Sequence, residues 1–159
     1  MILVPFHTTY FWSLEEFVAA SHSSRCGFIE DRQLPDAPII SIIDDDDSMR
    51  CAMKSLVTSL GLRVHAFRSA EEFLQSPRVD DTSCLITDLQ MPGLSGVELQ
   101  SLLLSQARHV PIILVTAFPE ERMRNRAIEA GALGFLSKPF ESQTLIKLIE
   151  KAIATERKS

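Results

Sequence analysis

Five short apolar runs punctuate the chain beyond Pro38: Ile39 to Ile43, Arg63 to Phe67, Cys84 to Thr87, Ile112 to Thr116 and Gly134 to Leu136. Amphipathic stretches of helical length separate them, so run and stretch alternate as repeated β-α units. Strands joined by crossover helices lie parallel in one sheet, and runs this apolar suit strands buried on both faces. The pattern predicts an α/β domain, a doubly wound (βα)5 fold with a five-stranded parallel sheet.

Boundary signals agree with this reading. Ser69 with Glu72, and Ser95 with Glu98, have the spacing of a capping box, in which serine and glutamate satisfy free N–H groups at a helix start. Gly61 and Gly131 stand just before apolar runs, where a left-handed cap would end the preceding helix. From Glu141 to Ala154, Leu145, Ile146, Leu148, Ile149 and Ile153 mark one buried face of a closing helix. The domain is thus expected over residues 38–155, with a charged tail at 156–159. Residues 1–37 do not join the pattern and read as an extension and linker closed by Pro35 and Pro38. A Ser13–Glu16 cap suits a short helix there, in a segment expected to be poorly ordered. The cluster of Phe6, Tyr10, Phe11, Trp12 and Phe17 suggests a docking segment as the alternative.

A length of 159 residues with 45% hydrophobic positions suffices for one buried core. The formal charge of −5 argues against direct nucleic-acid binding and against an anionic membrane surface. Cys26, Cys51 and Cys84 have neither metal-ligand spacing nor an even count, which fits a reducing cytoplasm. No signal peptide and no membrane span are read.

Candidate chemistry gathers at the ends of the apolar runs, where open parallel sheets collect their ligands. Asp44, Asp45, Asp46 and Asp47 follow the first run, and Asp88 follows the third. Neighbouring parallel strands would bring Asp88 beside Asp44 and Asp45. Three carboxylates in one pocket call for a cation, and a hard divalent ion with oxygen ligands is the natural one, magnesium first. Asp46 and Asp47 suit the N-cap and first turn of the next helix. Lys138 follows the fifth run, where it can pair with a carboxylate or a phosphoryl oxygen, and the peptide to Pro139 is a candidate for the cis form. Thr116 ends the fourth run and offers a hydroxyl.

These residues resemble the receiver domains of bacterial two-component response regulators, from about Pro38 to about Ala154. The likeness rests on Ile42-Ile43-Asp44-Asp45-Asp46-Asp47, Thr87-Asp88-Leu89-Gln90-Met91-Pro92-Gly93-Leu94-Ser95-Gly96, Val115-Thr116-Ala117, and Gly131-Ala132-Leu133-Gly134-Phe135-Leu136-Ser137-Lys138-Pro139-Phe140. The acceptor segment looks most like the FixJ-like group. The resemblance implies a flavodoxin-like fold in which Asp88 accepts a phosphoryl group from the phosphohistidine of a sensor histidine kinase or a phosphotransfer protein. It further implies Mg2+ held by Asp45 and Asp88, by Asp44 through water, and by the Gln90 carbonyl. Lys138 would contact the phosphoryl group, and Thr116 and Phe135 would form the switch pair. A possible homodimer through the fourth helix, fifth strand and fifth helix follows from the same likeness, as does catalysis limited to the domain's own phosphorylation and dephosphorylation. Gln90 and Phe118 would set the lifetime of the phosphorylated form.

Two other readings remain in view at this point. In a haloacid-dehalogenase-like phosphohydrolase a second acid stands two residues after the nucleophile, where this chain has Gln90. A binding module independent of phosphorylation is the other. With the last predicted helix so close to Ser159, a stand-alone receiver and a fragment lacking its output domain are equally compatible.

Overall fold

The computed structural model describes residues 37–156; the extension with its Ser13–Glu16 cap and aromatic cluster, and the end of the charged tail, lie outside them. Along the chain run β1 (Ile39–Ile43), α1 (Asp47–Ser59), β2 (Arg63–Phe67), α2 (Ala70–Gln75), a 3-10 turn at Pro77–Val79, and β3 (Cys84–Asp88). There follow α3 (Gly96–Ser105), β4 (Ile112–Thr116), α4 (Glu121–Glu129), β5 (Gly134–Ser137) and α5 (Ser142–Glu156). All strand pairs are parallel, in the order β2-β1-β3-β4-β5. This is the flavodoxin-like arrangement expected above.

Period-two side-chain alternation explains the two cores. On one face Ile40, Ile42, Ile113 and Val115 pack with Met53 and Val57 of α1 and Leu145 and Ile149 of α5. On the other, Ile43, Leu85 and Leu114 meet Phe73 of α2, Leu99 and Leu103 of α3, and Ala127 of α4. Strands β1, β3 and β4 are buried throughout, whereas the edge strand β2 is only half-buried over most of its length.

Most boundaries fall where the local chemistry places them. The Ser95–Glu98 box forms completely. At Ser69 only half of it does: Ser69 Oγ accepts from Glu72 N–H, but the Glu72 carboxylate takes the Arg68 N–H instead, at 2.7 Å. Gly61 and Gly131 have φ of 77° and 90°, the left-handed region that a residue with a Cβ enters only at a cost. Strand β3 runs on to Asp88 and β5 to Ser137, because both still pair with β4. The last helix begins at Ser142 rather than Glu141 and continues to Glu156, into the segment read as tail.

The direction of winding reverses between β1 and β3, since β2 lies on one side of this pair and β4 on the other. Loops leaving the carboxyl ends of these two strands therefore part and open a crevice, and the acidic residues stand there.

Candidate functional site at the carboxyl edge of the sheet

Asp44 is the first residue beyond β1, and its N–H donates to the Phe67 carbonyl at 3.2 Å, an extension of the β1–β2 pairing. The side chain is fully buried, and its Oδ1 accepts from Asp46 N–H at 2.8 Å. Asp46 caps α1 as expected, accepting from Ser48 and Met49 N–H at 2.8 and 3.0 Å. Asp47, in the first turn, pairs with Arg50. Arg50 also donates to the Asp44 carbonyl at 2.6 Å, so one guanidinium ties the acidic loop to the helix it begins.

Asp88 ends β3 and is buried, with Oδ1 accepting from Gln90 N–H at 2.7 Å. Helix α3 presses on its backbone: a Cβ at Gly96 would lie 2.6 Å from the Asp88 carbonyl oxygen, so only glycine fits there. The Thr87 hydroxyl donates to the same carbonyl at 3.1 Å.

Lys138 reaches the crevice from beyond β5. Its N–H donates to the Thr116 carbonyl at 2.7 Å, and its Nζ donates to Asp88 Oδ2 at 2.8 Å and Asp44 Oδ2 at 3.0 Å. The Lys138–Pro139 peptide is cis. Burial alone would lower the lysine pKa, but hydrogen bonds and charge from Asp88 and Asp44 outweigh it and hold the ammonium above its ordinary value. For Asp44 the balance is opposite: burial raises its carboxyl above the usual aspartate value despite the ammonium beside it.

Asp44, Asp45 and Asp88 each bring a carboxylate oxygen within 4.8 Å of the others. Three acids share one ammonium, which leaves two negative charges when all are ionised. Hard oxygen donors with that deficit suit one divalent cation.

Thr116 is buried at the end of β4, and its Oγ1 accepts from Phe118 N–H at 3.1 Å. Phe135 is half-buried beside Leu114 in register and packs on the core shared with α3 and α4. Asp44, Asp45, Asp88, Gln90, Thr116 and Lys138 thus stand at the carboxyl edge, Gln90 through its N–H bond to Asp88, whereas Phe135 lies within β5. Sequence reasoning missed Arg50, although an arginine three residues after the second capping aspartate was a legible signal. It also missed Glu71, which accepts from the Leu94 N–H at 2.8 Å across 23 residues, and it gave Thr87 and Gly96, quoted within the acceptor motif, no role of their own.

Comparison with known proteins agrees with this geometry. Residues 40–150 match the family model for the response regulator receiver domain. Nodulation protein W of Bradyrhizobium diazoefficiens is 44% identical over 120 residues, covering 76% of this chain and 53% of that one. Transcriptional regulatory protein FixJ of the same organism is 37% identical over 114 residues, 72% of this chain and 56% of its own. The crystal structure of FixJ-N superposes with a TM-score of 0.67 at 35% identity, over 74% of this chain and 94% of that chain. The chain spans about half the length of the curated relatives it matches, at 53% and 52% for two of them. None of the described helices is long and apolar enough to cross a membrane. With the match running through every strand of the sheet and all the carboxyl-edge residues, the chain belongs to the response regulator receiver domains of two-component signalling.

Proposed function

We propose that Asp88 accepts a phosphoryl group from the phosphohistidine of a sensor histidine kinase or phosphotransfer protein, with Mg2+ held by Asp44, Asp45, Asp88 and the Gln90 carbonyl. The observation that carries this reading is the meeting of Lys138 Nζ with Asp88 Oδ2 at 2.8 Å inside a trio of carboxylates. An Asp88 oxygen attacks phosphorus in line, the N–P bond of the donor breaks, and its electron pair returns to the imidazole. Bound Mg2+ supplies neutralisation of the phosphoryl oxygens. Lys138, held protonated, meets the same oxygens from the β5 side and is already placed when the donor arrives.

In the phosphorylated form the Thr116 hydroxyl turns to a phosphoryl oxygen and gives up its bond from Phe118 N–H. Space vacated beside β4 is taken by Phe135. Helix α4 follows readily because Ala127 is its one buried residue and Glu120 gives it no side-chain cap. The altered face, α4, β5 and α5, carries the output, by homodimerisation or by contact with a partner. A population change from 1:99 to 99:1 needs about 5.5 kcal/mol of differential stabilisation. Two or three charged hydrogen bonds of roughly 1.5–3 kcal/mol each supply it.

The test is incubation with Mg2+ and acetyl phosphate followed by intact-mass measurement. Wild type is expected to gain one phosphoryl group and Asp88→Asn none; equal uptake by both overturns the assignment. Phe118 is 68% exposed beside Thr116 and has an apolar ring available to exclude water from the acyl phosphate. Phe118→Ser is expected to shorten the phosphoform lifetime several-fold, read as loss of the added mass after the donor is removed. An unchanged lifetime would rule out the shielding role.

A further inference from the structure

The loop from Gln90 to Ser95 joins the acceptor strand to α3, and its two ends are held locally. Gln90 N–H donates to Asp88 Oδ1 at 2.7 Å, and Gly96 N–H donates to the Leu89 carbonyl at 3.1 Å. Between these ends, a bond comes from a distant element: Glu71, in the first turn of α2, accepts from Leu94 N–H at 2.8 Å through Oε1. The approach is close, since a Cβ at Gly93 would lie 2.5 Å from Glu71 Oε1, and Gly93 has φ of 83°. Helix α2 is itself fixed by the Ser69 cap and by the Glu72 bond to Arg68 N–H, just beyond the end of β2. Glu71 therefore ties the acceptor loop to the β2–α2 junction, and that junction also receives the Asp44 N–H at the Phe67 carbonyl.

We infer that Glu71 is a positioning residue for phosphoryl acceptance, clamping the loop so that the Gln90 carbonyl faces the acid trio. This rests on the reading of Asp88 as acceptor. The clamp acts on the loop backbone and touches none of the reacting atoms. Its carboxylate is exposed, so the loop is fixed by a group that solvent can reach and a side-chain substitution can remove without opening the core. Its own N–H and that of Leu94 hold the Glu71 carboxyl below its ordinary value, so the accepting form is the ionised one at neutral pH.

Three proteins decide it: wild type, Glu71→Ala and Glu71→Gln, whose amide oxygen can still accept from Leu94 N–H. Two readouts are compared, hydrogen exchange at the Leu94 amide in metal-free protein and the Mg2+ concentration giving half-maximal acetyl-phosphate labelling. Glu71→Ala is expected to exchange about tenfold faster at Leu94, as loss of a hydrogen bond to a charged group implies. It should need several-fold more Mg2+ while reaching the wild-type labelling rate at saturation. Glu71→Gln is expected to recover most of both values. Half-saturation at the wild-type Mg2+ concentration in Glu71→Ala would overturn the clamp, as would failure of Glu71→Gln to recover. Absence of labelling in wild type itself would instead strike the acceptor reading, so the two failures are separable.

Discussion

Replacing Lys138 by methionine is expected to slow phosphoryl uptake from acetyl phosphate by about 100- to 1000-fold, the usual cost of removing one preorganised group that meets developing negative charge. The lysine is placed by backbone: its N–H bond to the Thr116 carbonyl sets where β5 ends, and its two carboxylate bonds set where the ammonium points. Without it, Asp44 and Asp88 are left buried and unpaired in metal-free protein, which costs about 3 kcal/mol of stability at neutral pH. The sign with pH follows from linkage. Loss of the ammonium removes what opposes burial at Asp44 and raises its folded-state carboxyl further, so the folded state holds more protons there than the unfolded one. Destabilisation should then shrink as pH falls towards the ordinary aspartate range and grow as pH rises above it. Denaturant melts of the variant in EDTA at several pH values would check this; a pH-independent deficit would indicate lost packing by the lysine stem instead.

Asp44→Asn makes the converse case. Burial raises the Asp44 carboxyl, so wild type without metal loses stability as pH rises from the ordinary aspartate value through the raised folded value. Asparagine removes that loss and keeps an acceptor for Asp46 N–H. In EDTA at neutral pH the variant is expected to melt higher than wild type. Magnesium should reverse the order: at a hundred times its Kd it stabilises wild type by about 2.7 kcal/mol, and much less once one of the three carboxylates is gone. Thermal melts with and without Mg2+ give both comparisons, and a variant that gains as much from Mg2+ as wild type would remove Asp44 from the site.

The parallel sheet was legible because its central strands are largely apolar and the stretches between them carry their own start and stop signals. Gly61, Gly131 and the Ser95–Glu98 box act through bonds within a few residues, which sequence displays directly. The Ser69 box formed only by half because the Arg68 N–H, one residue before the cap, takes the Glu72 carboxylate. Asp44, Asp45, Asp88 and Lys138 were legible as a group because each stands at the end of an apolar run, and a parallel sheet brings such ends to one edge. Glu71 was not. An acid in a helix first turn looks the same whether it faces water or a loop 23 residues away, and only the fold distinguishes them. For Arg50 only the pairing with Asp47 three residues earlier was open to the sequence; its bond to the Asp44 carbonyl involves a backbone atom that no side-chain pattern reports.

The residue that takes the phosphoryl group decides whether Asp88 is the acceptor. Borohydride reduces an aspartyl phosphate to homoserine, so protein treated with acetyl phosphate and Mg2+, reduced and digested, can be mapped by tandem mass spectrometry. Homoserine at residue 88 alone is the predicted result; modification at another carboxylate of the trio, or none under conditions where Mg2+ binds, would contradict it.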